Sequence, residues 1–143
     1  MPGDKSTIKK VLNEQYYAVL SSSENEQPYS NLVAFVASGD LKSLVFATGR
    51  RTNKYARIIN NCQVSLLIDN RTNQPSDILR AVAITVIGVA SELQTNDEDY
   101  KALFIRRHPL LQKFINGPAT AMISVKTSEY VVAHFDHTER FLP

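Results

Sequence analysis

The stretch Phe46-Ala47-Thr48-Gly49-Arg50-Arg51-Thr52-Asn53-Lys54-Tyr55-Ala56-Arg57-Ile58-Ile59-Asn60-Asn61-Cys62-Gln63-Val64-Ser65-Leu66-Leu67-Ile68-Asp69 joins a strand, a turn, a helix and a second strand. Leu44, Val45 and Phe46 form a β-favouring run that Thr48 and Gly49 interrupt, and Tyr55, Ile58, Ile59 and Cys62 recur at the spacing of one apolar helical face. Thr52 stands where an N-cap belongs, so the first-turn amides point outward beside the positive end of the helix dipole. Such an end suits an anion. Arg50, Arg51, Lys54 and Arg57 surround it, and no acidic residue occurs between Asp40 and Asp69. Main-chain amides, the Thr48 and Thr52 hydroxyls and an arginine fork together make the donor set of a phosphate monoester site. The same residues also describe a solvated basic turn of an ordinary surface helix, since charge clusters alone are weakly informative.

Upstream, Ser6 to Leu12 places Ile8, Val11 and Leu12 at helical spacing behind a hydroxyl cap, which predicts a short helix. Tyr16 to Ser21 is β-favouring, Ser22 to Gln27 is a polar turn, and Tyr29 to Ala37 is a second strand, apolar on both faces. Gly39-Asp40 then turns the chain into the strand from Leu44 to Ala47, completing a meander.

Downstream, Asn70 to Asp77 reads as a loop before a long strand from about Arg80 to Leu93, and Gly88 within it marks a bulge or, second to that, a close backbone approach. Thr95-x-x-Glu98 is a capping-box pattern ahead of a helix with Tyr100, Leu103 and Phe104 on its apolar side. Pro109 breaks that helix, Leu110 to Ile115 makes a second short one, and Gly117-Pro118 stops it. Ala119 to Val125 is the last strand, with another segment near Tyr130 to Phe135. About six strands joined mostly by hairpins, with one strand–helix–strand unit, favour a mainly β, antiparallel barrel with a few short helices over a doubly wound sheet.

With 143 residues, 43% of them apolar, the chain suits one globular domain spanning residues 1–143. A net charge of +2 is too small for a nucleic-acid partner, and neither a signal region after Met1 nor a bilayer-length apolar run is evident. A cytoplasmic protein without membrane or nucleic-acid partners is therefore expected. The single Cys62 allows no intrachain disulfide. As a nucleophile it would lie at the wrong end of the helix dipole, and it reads as a core residue.

The glycine fingerprint of dinucleotide folds, the P-loop and the Gly-x-Ser-x-Gly elbow are absent from the sequence. His134-Phe135-Asp136-His137 offers imidazole and carboxylate groups, but on a strand the two histidines would point to opposite faces, so no metal is expected there. His108, before Pro109, reads as a cap or surface residue. No side chain is nominated as catalytic, which accords with chemistry carried by a cofactor.

Taken in order, these landmarks resemble the pyridoxamine 5′-phosphate oxidase-like family of FMN-binding split barrels. Phe46, Thr48, Thr52, Lys54, Asn61 and Val64-Ser65-Leu66-Leu67 fall on the family's strand, loop, helix and strand pattern, with Cys62 where Pro is usual. Gly88-Val89-Ala90-Ser91-Glu92-Leu93 matches its G-x-A-x-x-L, and the likeness covers about residues 8 to 133. The resemblance implies a six-stranded split β-barrel, a homodimer with FMN at its interface, and oxidoreductase activity on an unidentified small substrate or redox partner. Deazaflavin or haem, bound without turnover, is the alternative, with His108 or His134 as a haem ligand.

The resemblance also implies the site residues: Asn31, Leu32 and Val33, largely through main-chain groups; Ala47 and Thr48 at the end of the third strand; and Arg51, Thr52, Asn53 and Lys54 at the phosphate. The oxidase itself has Arg at the position of Asn31 and Lys at that of Val36, a deficit that Arg50 and Arg51 are expected to offset in part. Its Gln falls at Ala83, and its substrate-binding Arg and His fall at Asp136 and Thr138, leaving only Arg140 as a match. A general member of the family is therefore expected, not the true oxidase. Period-two patterning places Val33, Phe35, Phe46, Leu66, Ile84, Val86 and Ile123 in the core. Apolar residues on both faces of the strands argue independently for a partner copy.

Overall fold

Alternation of buried and solvent-facing side chains runs through nearly every extended segment of the chain, and the strands it produces close on themselves. In the computed structural model, which describes residues 5–94 and 97–143, the elements follow in the order α1 (Ser6–Glu14), β1 (Tyr17–Glu24), β2 (Gln27–Ala37), β3 (Ser43–Gly49), α2 (Asn53–Asn60), β4 (Gln63–Asp69), α3 (Asp77–Arg80), β5 (Ala83–Glu92), α4 (Glu98–Arg107), a 3₁₀ turn (Pro109–Leu111), α5 (Gln112–Ile115), β6 (Thr120–Ala133) and β7 (Thr138–Phe141). All pairings are antiparallel. The row β3-β2-β1-β4-β5-β6 closes through β3–β6 pairing into a six-stranded barrel, and β7 adds to β6 outside the ring. Closure gives each of these six strands a neighbour on both sides, although β2 meets β3 only through Phe35 to Ala37 and β1 meets β4 only through Val19 to Ser21.

The seven core residues expected from the sequence are all buried, and they line the barrel interior with Leu20, Ile68, Tyr130 and Val132. Ile8, Val11 and Leu12 of α1 and Ile58 of α2 join the same cluster. A second apolar cluster, Val36, Val45, Phe104, Ile115 and Met122, lies where α4 and α5 cover the outer faces of β2, β3 and β6. β3 and the last part of β2 are thus buried on both faces within the chain, whereas Leu32 of β2 stays exposed.

Several boundaries differ from the sequence reading. β1 continues to Glu24 and the turn tightens to Asn25-Glu26, both in the left-handed region (φ 50° and 68°). A single helical turn, α3, begins at Asp77, so β5 starts only at Ala83. Its cause is local: the Asp77 carboxylate accepts hydrogen bonds from the Thr72 and Gln74 amides. The two expected C-terminal segments are one strand, β6, because Thr127 turns inward within the polar run Lys126 to Glu129 and keeps the alternation. Opposite it the β5–β6 register shifts at Ile87/Gly88; the extra residue is Ser128 of β6, so the bulge lies on the facing strand and Gly88 itself meets the Lys126 backbone closely. Thr95 of the capping-box pattern lies outside the described residues; the cap of α4 is Asp97, whose carboxylate accepts from the Tyr100 amide at 3.3 Å. Cys62 is exposed rather than in the core, and Ile59 beside it is 54% exposed, because the buried face of α2 is set by Arg57 and Ile58. Among the described residues no helix is long and apolar enough to cross a membrane.

Candidate functional site

Thr52 caps α2 as its position suggests. Its backbone is extended (φ −88°, ψ 155°), and its hydroxyl accepts from the Tyr55 amide at 3.1 Å while donating to the Gly49 carbonyl at 2.9 Å. Thr48, buried at the end of β3, stands 3.3 Å from the Thr52 hydroxyl and completes the chain of bonds that fixes the turn. The first intrahelical bond is made by Ala56 to the Thr52 carbonyl, so the amides of Asn53 and Lys54 precede the helical ladder.

Lys54 and Arg57 lie three residues apart on one face of α2. Arg57 is buried: its Nε donates to Ser22 Oγ at 3.3 Å, one Nη donates to Asn31 Oδ1 at 3.2 Å, and its guanidinium stacks 4.0 Å from the Tyr29 ring centre. A cationic group therefore arrives beside Asn31 from the helix, although position 31 itself is neutral. The Lys54 ammonium is held below the usual lysine range, first by burial and then by the charge of Arg57. Among the described residues neither cation forms an ion pair. A buried guanidinium and a partly buried ammonium without a carboxylate partner among the described residues are electrostatically suited to a bound anion.

Asn31, Thr48, Thr52, Asn53 and Lys54 gather at this end of the barrel, whereas three other predicted residues turn their side chains elsewhere. Leu32 projects outward at 69% exposure, Val33 enters the core, and Ala47 packs against the outer cluster under α4 and α5. Arg51 is exposed on the turn. Arg50 does not offset the missing charges as expected. Its guanidinium donates to Glu92 at 2.7 Å and to the Pro118 and Thr120 carbonyls at 3.1 and 2.7 Å, tying the end of β3 to the start of β6. Nothing local in the sequence marks its neutralising partner Glu92, nor Ser22 or Tyr29, and Arg57 reads there only as one more basic residue. Its phase with Lys54 and Ile58 was the available signal.

Tyr55 donates to the other Glu92 oxygen at 2.6 Å. The Tyr55 hydroxyl, followed by Arg50, holds the Glu92 carboxyl below its ordinary range, and the Tyr55 phenol is correspondingly raised. A folded pKa below the unfolded one means the stabilisation is present above the ordinary glutamate value, near about 4.3, and is lost as pH falls through the folded value. Glu92→Gln should therefore lower stability at pH 7 by about 1 kcal/mol, with the deficit smaller at pH 3, below the ordinary glutamate range. Urea unfolding at both pH values checks this, and a deficit undiminished at low pH would refute it.

His108 is a helix C-cap, as read, but it is buried and not at the surface. Its Nε2 lies 2.8 Å from the Phe35 carbonyl and its ring packs on Phe104 at 4.8 Å, which commits that nitrogen to the fold. A cleft of ≈ 190 Å³ beside Arg50 is lined by Asp97, Lys101, Ile115, Thr120 and Met122, and an open groove of ≈ 450 Å³ crosses Ser21, Ser65, Ile87 and Val89. Lys54 and Arg57 line neither, although Ser22, which accepts from Arg57, lines the groove.

A family model described as pyridoxamine 5′-phosphate oxidase matches residues 5–130. No match was found among curated proteins. Among solved structures, General Stress Protein 26 from Bacillus anthracis str. Sterne is 25% identical with a TM-score of 0.78, over 97% of this chain and 98% of that one. A heme binding protein from Mycobacterium smegmatis is similar at 11% identity and TM-score 0.83, over 99% of this chain but 59% of the other. A FAD-binding protein from Mesorhizobium loti is similar at 18% identity and TM-score 0.67, with 90% of each chain covered. The last two likenesses concern the fold.

Proposed function

Because the chain belongs to the pyridoxamine 5′-phosphate oxidase family, we propose that it is an FMN-binding flavoprotein that acts as an oxidoreductase on a small substrate or redox partner. The observation that carries this reading is the Lys54–Arg57 pair on one face of α2, Lys54 in the first turn beside the Thr52 cap and Arg57 one turn on, with no carboxylate paired to either among the described residues. Lys54, the Arg57 fork, the Asn53 and Lys54 amides and the exposed Arg51 would hold the phosphate, while Thr48 and Thr52 keep the turn in shape. Main-chain groups of Asn31 to Val33 and of Ala47 would border the ring. When bound, FMN supplies the redox chemistry, and the chain's own part is placement and exclusion of water. Asp136 and Thr138, where the oxidase has its substrate-binding pair, support a substrate other than pyridoxamine phosphate.

Some proteins of this fold bind heme or FAD by their descriptions. A phosphate-bearing cofactor is favoured here over haem by the basic pair and by the commitment of His108 Nε2 to the Phe35 carbonyl. Purified protein titrated in parallel with FMN, riboflavin, deazaflavin cofactor and haem, followed by visible absorption, tests the reading. FMN is expected to bind at least about tenfold more tightly than riboflavin, the loss of one charge-assisted contact. Tighter binding of haem or of the deazaflavin cofactor would replace it.

The remaining wall of the site is proposed to come from a second copy. On the outer face, Leu32, Val19 and Leu67 stand in register across β2, β1 and β4, flanked by Tyr17 and by Ile87 and Val89 of β5. Among the described residues no helix covers this patch, unlike the outer cluster under α4 and α5, and a C2 axis would place it against itself. Leu32→Glu would set two carboxylates into that apolar contact. Sedimentation should show a dimer for the parent at micromolar concentration and a monomer for the variant; a monomeric parent holding FMN would count against a shared site.

A further inference from the structure

Residues 134–137 are not a strand but the turn between β6 and β7, and this reverses the expectation that the two histidines point apart. The His134 amide donates to the His137 carbonyl at 2.8 Å, folding the turn back, and the two imidazoles stack with centres 4.2 Å apart. Glu139, the second residue of β7, faces the same way, with a carboxylate oxygen 3.3 Å from His137 Nε2. One ligand atom from each of His134, His137 and Glu139 can be chosen so that all three lie within 4.8 Å of one another. We propose that this turn is a binding site for a divalent transition-metal ion of the zinc type, with His134, His137 and Glu139 as ligands.

The chemistry of the turn supports that assignment. Two imidazoles and one carboxylate are a set that zinc and its first-row neighbours accept, leaving a fourth position for water. Asp136 Oδ1 lies 2.8 Å from His137 Nδ1; a proton on Nδ1 leaves the Nε2 lone pair toward Glu139, the carboxylate–histidine–metal arrangement. His134 makes no ring hydrogen bond among the described residues, so its nitrogens are not committed. The nearby Arg140 is drawn to Glu129 at 2.6 Å and does not compete for Glu139. Zinc–ligand bonds of about 2.0–2.2 Å bring tetrahedral ligand atoms to roughly 3.3 Å from one another, so the set must contract by about 1.5 Å. Rotation of side chains on a solvent-facing turn can supply this without moving the β6–β7 ladder. A bound ion would link the turn to β7 and fasten that strand to the barrel.

Zinc titrated calorimetrically into untagged protein is the direct test. One ion per chain is expected, with a rise in Tm that a chelator reverses. His134→Ala and His137→Ala should each weaken binding by about tenfold or more and abolish the rise, and Asp136→Asn should weaken it by about tenfold. The side chains are on an exposed turn, and unchanged circular dichroism will show that the variants fold. Absence of saturable binding, or undiminished binding by the His134→Ala/His137→Ala double variant, would overturn the assignment. Flavin binding is a separate readout, so failure here leaves the FMN reading standing.

Discussion

Gly88→Ala is expected to destabilise the barrel by about 2–3 kcal/mol, although alanine is ordinarily at least as compatible with a strand as glycine. A Cβ at this position would lie 2.4 Å from the Lys126 carbonyl oxygen and 2.8 Å from Val125 Cγ1. The first contact is with backbone, in the strand that pairs with both β5 and β3, so relief requires moving two ladders at once. The bulge exists because β6 carries one more residue than β5 across this bend: Gly88 pairs with Thr127 and Ile87 with Glu129, leaving Ser128 over. Gly39→Ala is the matched control, since nothing lies within 4 Å of its Cβ, and should fall within about 0.5 kcal/mol of the parent. Urea unfolding of both variants decides the matter; equal midpoints would show that β6 gives way cheaply.

The barrel was legible because its signal is periodic. Phe35, Phe46, Leu66, Ile84, Val86 and Ile123 each sit on the inward phase of a strand, and period two survives without knowledge of the partner. Thr52 was legible because capping is local, needing only Gly49 and Tyr55 nearby. Arg57 was not, because a cation goes inside only where distant groups receive it, and Ser22, Tyr29 and Asn31 lie 26 to 35 residues away in sequence. The role of Arg50 escapes local reading for the same reason: Glu92 and the carbonyls of Pro118 and Thr120 reach it across the closing strands. At Cys62 and Ile59 the helical phase was drifted by including residues at and beyond the end of α2, which finishes at Asn60. His134 and His137 were placed on opposite faces by extending β6 past Ala133, where the chain turns.

If the phosphate of FMN lies between Lys54 and Arg57, removing either cation should weaken FMN and leave riboflavin nearly unaffected. Lys54→Ala removes a charge-assisted contact of roughly 1.5–3 kcal/mol, a loss of about ten- to a hundredfold. Arg57→Ala should reach the upper end of that range or pass it, because it removes a two-pronged donor and also leaves Asn31 and Ser22 without their partner. Arg57→Lys is the discriminating variant. It retains the charge but loses the fork and the flat stack on Tyr29, so an intermediate loss assigns part of the affinity to geometry. The urea midpoint of each variant separates folding from binding, since a damaged fold lowers both ligands together. Equal losses for FMN and riboflavin in Lys54→Ala would take Lys54 out of the phosphate site. An Arg57→Ala protein that binds FMN as tightly as the parent would confine Arg57 to joining α2 to β1 and β2, and the charge missing at Asn31 would then have no replacement in this chain.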